Sequence, residues 1–294
     1  MLEFTCNLCG GKNRCAQGDL DRERPSCSAC GSSVRTRGLV HALSMELFGA
    51  GLALADFPRV KNIRGLGTSD GAQYASTLAA RFDYRNTFFD REPRFDLTQA
   101  PDGDTGKYDF LLSSEVLEHV RPPAGAAFAN AFRLLQPHGV LVFTAPYSVE
   151  GTMAEHFPEL HEFGLTRVGD TVVLVNRTRE GRMQVFENLV FHCDGAGAPL
   201  EMREFNETGL KELLAAAGFC EVRVYSEDYP QFGIVHTESW SLPIAARKEQ
   251  FGLRPEGARE VVEQYRDARQ KLDLEMKRLC ASWWFRAGRK LRLL

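Results

Sequence analysis

At 294 residues, 44% hydrophobic and 26% charged, the chain has ordinary globular composition and enough length for one large domain plus a small one. A formal net charge of −3 excludes a global pull toward nucleic acid, so binding a polyanion would need a local patch. No stretch approaches 18 uncharged apolar residues, and MLEFTCNLCGG lacks the basic-then-apolar layout of a secretory leader. A cytoplasmic protein is expected, whose eight cysteines serve as metal ligands or free thiols before disulfides.

Five cysteines fall within residues 1–38. Cys6 and Cys9 form one CxxC, Cys27 and Cys30 a second, each followed by a glycine, with 17 residues between the pairs. Two intervening residues let both sulfurs reach one ion from a single tight turn, so four thiolates predict a closed, structural Zn²⁺ ribbon that does no chemistry itself. Cys15 is left over as a nearby free thiol. Lys12, Arg14, Arg22, Arg24, Arg35 and Arg37 raise the alternative of a ribbon that holds RNA. Asp19, Asp21 and Glu23 dilute that patch and Phe4 alone could stack a base, so the favoured reading packs the ribbon on the rest of the chain, framing a substrate mouth. Residues 39–58 then read as a linking helix.

The stretch GLGTSDG, Gly65 to Gly71, sits between an apolar-basic run and a helical segment over 72–82. Gly65 and Gly67 permit a sharp strand-to-helix turn with bare backbone against a ligand. A pyrophosphate fingerprint would continue with glycine at position 70, whereas Asp70 suits a nucleoside carrying a cation in place of phosphates. NTFF, residues 86–89, reads as a second strand with Asp90 at its end, the position of an acid that bonds a ribose diol, and Glu92 is its rival. Asp96 follows in RFDL. YDFLLSS, residues 108–114, is a strand buried on both faces that empties through Ser114 and Glu115 into EVLEHV with His119. A helix over 124–135, a turn over 137–139 and the strand VLVFTAP complete the run. Strands alternating with helices predict an α/β, Rossmann-like parallel sheet with helices on both faces and its ligand at the carboxyl ends of the strands.

Residues 147–205 read as a β-rich insertion after the fifth strand, with Glu155, His156, His161 and Glu162 crowded around Pro158 and a hairpin formed by TVVLVN and QVFENLVFH. An insertion there overhangs the reacting group. His156 and His161, each with a carboxylate neighbour, are the leading candidates for a general base; His119 is a third and His192 ranks below it. The core resumes with a helix from an Asn206 N-cap to Gly218, a sixth strand at EVRVYSED and an antiparallel seventh at QFGIVHTESW. The large domain thus spans 59–246. A helical tail over 247–294 contains a long exposed helix over 259–279 and the basic-aromatic end CASWWFRAGRKLRLL, which fits either an anionic membrane surface or docking on protein.

Together GLGTSDG, YDFLLSSEVLEHV and LLQPHGVLVFTAP resemble the class I S-adenosylmethionine-dependent methyltransferases, over residues 60–146 with a weaker return near 206–240. NTFFDREPRFDLT, APYSVEGTMAEHFPELHEF and LEMREF further resemble a bacterial subgroup associated with polysaccharide biosynthesis. The resemblance implies S-adenosylmethionine as cofactor, Gly65 and Gly67 facing its methionine part, Asp90 or Glu92 the ribose, Asp96 near the adenine, and Ser114 and Glu115 lining the strand mouth. It gives His119 a part in shaping the pocket. The activity it implies is O-methylation of a sugar or glycan hydroxyl, with a small-molecule acceptor and peripheral contact at the inner face of the membrane. An RNA methyltransferase and a non-catalytic scaffold stand as alternatives.

Overall fold

The computed structural model describes residues 1–191, 199–249, and, in the C-terminal segment, 267, 270–272 and 274–278. The chain divides into two units, Met1–Gln250 and Phe251–Leu294. The first opens with an antiparallel hairpin, β1 (Leu2–Thr5) and β2 (Lys12–Cys15), and then α1 (Val34–Phe48). The helix starts five residues before the expected boundary, because Ser33 caps it by accepting Thr36 N–H, and it stops at Gly49 in the left-handed region (φ 67°).

The central sheet contains β3 (Arg64–Thr68), β4 (Asp83–Thr87), β5 (Tyr108–Ser114) and β6 (Leu135–Thr144), with α2 (Ala72–Arg81) and α3 (Gly125–Leu134) as crossovers. Before the core closes, the chain makes β7 (Tyr147–Ser148), β8 (Ala154–Glu155), β9 (Glu162–Val168), β10 (Thr171–Arg177), β11 (Met183–Phe186) and β12 (Arg203–Asn206). Then follow α4 (Glu207–Ala217), β13 (Glu221–Val224) and β14 (Ile244–Arg247). Asn206 caps α4 by accepting Gly209 N–H and Gly218 ends it at φ 106°, as expected.

Strand order in the six-stranded sheet is β13-β14-β6-β5-β3-β4, with β14 antiparallel to both neighbours and β3 to β6 parallel. This is the mixed, Rossmann-like α/β sheet expected. Two local readings are corrected. The antiparallel strand is IAAR (Ile244–Arg247) rather than QFGIVHTESW: the expected segment opens in the turn Pro230–Phe232 and makes a single bridge from Ile234 to Tyr229, while β6 pairs with the run after Pro243. The second strand is DYRNT (Asp83–Thr87), so Asp90 lies three residues beyond its end. Within and after RFDL, Leu97–Gln99 is one 3₁₀ turn capped by Asp96.

Successive side chains of the central strands feed two cores. Phe110, Leu112, Val140 and Val142 join Leu39, Leu43, Tyr74, Leu78 and the ribbon residues Phe4, Cys6, Leu8 and Leu20 on one face. Leu111, Leu141 and Phe143 join Phe128, Leu134, Leu210 and Leu214 from α3 and α4 on the other. The ribbon is therefore packed into a sheet face. Within the insertion, β9, β10 and β11 form a separate antiparallel sheet; β10 and β11 are the expected hairpin, while β9 pairs along β10 from Thr171↔Val168 to Arg177↔Glu162.

The described residues of the second unit are helical and exposed. The remainder of the helix expected over 259–279, the end from Cys280 to Leu294 and His192 lie outside the described residues. Among the described residues no helix is long and apolar enough to cross a membrane.

Candidate functional site

The glycine loop is built by packing from below. A Cβ on Gly65 would run into the Phe110 ring, and one on Gly67 into the Tyr84 hydroxyl and the Asp70 carboxylate. Both bare faces therefore admit the sheet interior, and the turn that follows carries Ser69 in the left-handed region at φ 58°. Asp70 does not border the ligand as its charge suggested. It is 4% exposed; Tyr74 Oη donates to it at 2.8 Å and Tyr84 Oη also donates to it. Burial pushes its carboxyl up to about 6 against the pull of those hydroxyls. Asn86 closes the loop on β4, accepting Asp70 N–H at 3.0 Å and donating to Asp70 O at 2.9 Å.

Of the ribose candidates, Asp90 is exposed and, among the described residues, its carboxylate has no partner. Glu92 accepts Arg94 N–H at 3.1 Å. Asp96 is engaged in its own turn, accepting Thr98 N–H at 2.8 Å and Thr98 Oγ1–H at 2.6 Å.

At the end of β5 the chain turns through Glu115 at φ 52°, held by its N–H to Thr144 O at 3.0 Å, while Ser114 Oγ lies 3.0 Å from Thr144 Oγ1. Two ribbon-side arginines arrive here that the sequence pattern offered to RNA. Arg22 pairs with Glu115 at 2.8 and 3.3 Å, and Arg35 Nη1 donates to Ser114 Oγ at 2.5 Å. Burial raises the Glu115 carboxyl, but Arg22, with Arg35 behind it, overcomes that and leaves it below the ordinary range. Glu118, fully buried one turn on, is pushed to about 8, first by burial and then by the charge of Glu115. A third arginine of the patch, Arg37, is fully buried over Phe4 and donates to Ser32 O, Ser26 Oγ and Gly233 O.

An open cleft of about 670 Å³ lies beyond β6. Its lining includes Tyr147, Glu150, Glu201, Glu204 and Trp240, the last with 43% of its surface exposed. The Ser241 carbonyl on its rim accepts Arg22 Nε–H at 2.9 Å, so the cleft adjoins the Glu115 end of β5. Arg203 holds the floor. It is 0% exposed, bonded to Glu155 at 3.0 Å and to the carbonyls of Leu117 and Val120 at 2.6 and 2.7 Å, which ties the insertion to the turn carrying His119. Such a saturated, buried arginine carries no periodic signature and was not singled out in the sequence.

The three histidines part company. His156 Nε2 is 3.2 Å from Glu201 Oε1, with Glu204 in the same group of ligand atoms within 4.8 Å. His119 Nδ1 is 2.9 Å from Leu200 O, so it donates there, and its Nε2 is 3.6 Å from Glu118. His161 is exposed beside β9, its N–H bonded to Asn176 Oδ1 at 2.9 Å.

The four ribbon thiols come together. Sγ of Cys6 and Cys30 are 3.7 Å apart, of Cys9 and Cys27 3.6 Å, and all four lie within 4.8 Å of one another. Four sulfurs at about 2.3 Å around a tetrahedral ion stand about 3.8 Å apart, so the set fits Zn²⁺. Gly11 N–H at 3.4 Å from Cys9 Sγ and Asn13 Nδ2 at 3.5 Å from Cys27 Sγ supply thiolate-directed donors. Cys15 lies outside the group and is a free thiol.

The sequence pattern of the methyltransferase domain matches residues 43–223, more than half of the chain. No curated protein matches it. Similar solved structures include the 1,6-didemethyltoxoflavin-N1-methyltransferase of Burkholderia thailandensis, solved with 1,6-didemethyltoxoflavin and S-adenosylhomocysteine (18% identity, 64% of this chain and 71% of that one, TM-score 0.35). CalS10, an amino pentose methyltransferase from Micromonospora echinaspora, is 16% identical over 63% of this chain and 83% of its own, with TM-score 0.36. The sugar N-methyltransferase KedS8 of Streptoalloteichus sp. is 16% identical over 64% and 81%, with TM-score 0.37.

Proposed function

The chain belongs to the methyltransferase-domain family, an S-adenosylmethionine-dependent enzyme, and from that premise we propose that it methylates a hydroxyl of a sugar or glycan. The observation that carries this reading is the cleft beside the end of β6, where an exposed indole adjoins several carboxylates and the Tyr147 backbone. An aromatic face beside convergent acceptors suits a ring with apolar C–H faces and many hydroxyls.

When bound, S-adenosylmethionine supplies a methyl group on a sulfonium, which leaves as a neutral thioether. Asp90 would accept hydrogen bonds from its ribose hydroxyls, and the turn from Gly65 to Ser69 and the Ser114–Glu115 corner would hold its amino-acid end. His156 takes the proton of the acceptor hydroxyl. With Nε2–H donated to Glu201 at 3.2 Å, Nδ1 is the basic nitrogen, and the carboxylate stabilises the imidazolium that forms. His119, donating to the Leu200 carbonyl, braces the chain just before Glu201 of the cleft. Cys6, Cys9, Cys27 and Cys30 would hold a structural zinc that folds the ribbon. The polysaccharide setting, a cytoplasmic site of action and contact of the C-terminal tail with the inner membrane face belong to the same reading.

A labelled-methyl assay on oligosaccharide acceptors tests it. Label on a saccharide hydroxyl that vanishes in His156→Gln is the expected result; transfer only to RNA, with steeply salt-dependent binding, would replace it. Metal analysis of the purified protein should return about one zinc per chain.

A further inference from the structure

The two guanidinium groups at the end of β5 differ in what they leave open. Every nitrogen of Arg22 is engaged: Nε–H goes to Ser241 O, and the two Nη groups go to Glu115, Nη1 reaching Glu23 as well. Arg35 is anchored at two of its three nitrogens. Its Nε donates to both oxygens of Glu23 at 2.9 Å and its Nη1 to Ser114 Oγ. Among the described residues Nη2 has no partner, and the side chain keeps 19% of its surface exposed. The group is also held in place from behind, since Arg35 N–H donates to Arg22 O at 3.1 Å at the first turn of α1.

Its position lies between two parts of the site. Ser114 ends β5, and the charge of Arg35 is felt by Glu115 and Glu118 on that side and by the Tyr74 hydroxyl, on the first turn of α2 below the glycine loop, on the other. A pre-oriented guanidinium with Nη2 unpartnered is suited to donate a charge-assisted hydrogen bond to a carboxylate. The neighbouring Glu115, already paired with Arg22, would repel such a ligand unless a cation stood between them.

We propose that Arg35, fixed between Glu23 of the metal ribbon and Ser114 of the sheet, binds the amino-acid carboxylate of the cofactor, so that the ribbon is part of the cofactor site. The inference rests on the S-adenosylmethionine reading above. It adds a ligand-binding duty to a segment whose thiols account only for its folding.

The test compares two ligands by calorimetry on the full-length, zinc-loaded protein. S-adenosylhomocysteine carries the carboxylate; 5′-methylthioadenosine shares the nucleoside and sulfur and lacks it. Arg35→Gln should weaken S-adenosylhomocysteine by about 30-fold and leave 5′-methylthioadenosine within about twofold, the effect of one charge-assisted contact. Glu23→Gln, which frees the guanidinium from its anchor, should weaken only the first ligand, by about fivefold. Equal loss for both ligands in Arg35→Gln would make Arg35 a structural latch and overturn the proposal, as would no loss for either. Failure of the unaltered protein to bind both ligands would overturn the cofactor reading beneath it.

Discussion

The two sides of the sheet end are made differently. On the side proposed for the cofactor, most contributing groups lie at or just after a strand end: Gly65 to Asp70 at the end of β3, Asp90 after β4, Ser114 and Glu115 at the end of β5, with Arg35 reaching in from the ribbon side. On the side proposed for the acceptor, the cleft draws Tyr147 from β7, Glu201 and Glu204 from around β12 and Trp240 from the loop before β14, with Arg203 bonded across to Leu117 and Val120. A wall built from local turns depends on backbone conformation, whereas one built from distant segments depends on side-chain bonds between them. Substitutions should therefore act on cofactor affinity on one side and on turnover on the other.

The largest effect expected is at Gly67. A valine there would drive its side chain into Tyr84 and Asp70, which are buried and hydrogen-bonded, so Gly67→Val should lower S-adenosylhomocysteine affinity by more than about 100-fold, with a lowered melting temperature. Gly164→Ala, with nothing within 4 Å on β9, should leave both unchanged by calorimetry and thermal denaturation. If the two variants behaved alike, the local construction of the cofactor side would be refuted.

Turnover should separate the histidines. His156→Gln is expected to reduce kcat by about 100-fold while cofactor affinity stays within about twofold, as loss of a general base does. His161→Gln, exposed beside β9, should keep kcat within about twofold. A reversal of that order in steady-state kinetics would move the base to the outer sheet.

The same contrast explains what could be read in advance. The ends of β3 and β5 announced themselves through glycines and a continuous apolar stretch, and α4 through Asn206 and Gly218, because each signal and its consequence are neighbours in sequence, whereas the acid after NTFF marked no strand end, β4 stopping at Thr87. The four cysteines were legible because two-residue spacing brings each pair together whatever the rest of the chain does. The inward turn of Arg22 and Arg35 was not: a charge run reads alike whether it faces solvent or Glu115, 93 residues away. The seventh strand was misplaced because QFGIVH alternates like a strand, yet the partner that decides pairing is β6, and the register Ile244↔Phe143 to Arg247↔Val140 selects the run after Pro243. Asp70 was misjudged for a related reason, since Tyr74 and Tyr84 give it buried donors that its own neighbourhood in sequence does not reveal.

Asp70 offers a pH test of that buried corner. Its carboxyl is raised to about 6 in the fold, so the folded state holds the proton more tightly than the unfolded chain. The stability it contributes is fully present below the unfolded value of 3.8 and is lost as pH rises through about 6. Between pH 4 and 7 this loss amounts to about 2 kcal/mol, and Asp70→Asn removes it. In urea titrations at both values, the stability difference between variant and unaltered protein should shift by that amount in favour of the variant, a comparison that cancels the titration of the ribbon thiols. A pH-independent difference would mean that Asp70 is ionised in place and faces water.

The finest distinction concerns the ribose. Asp90 and Glu92 are both exposed acids after β4, but Glu92 already accepts the N–H of Arg94, whereas the Asp90 carboxylate has no partner among the described residues. A ribose diol offers two O–H donors, and a carboxylate that accepts both gains two charge-assisted bonds. Asp90→Ala should accordingly weaken S-adenosylhomocysteine by about 20-fold, and Glu92→Ala by less than about threefold. Adenine alone, which carries no diol, should bind the Asp90→Ala variant as it binds the unaltered protein. Equal losses in the two variants would assign the diol to both acids, and loss confined to Glu92→Ala would show that the turn from Phe88 to Arg94 rearranges around the ligand, breaking the Glu92 bond to Arg94 N–H to free that carboxylate.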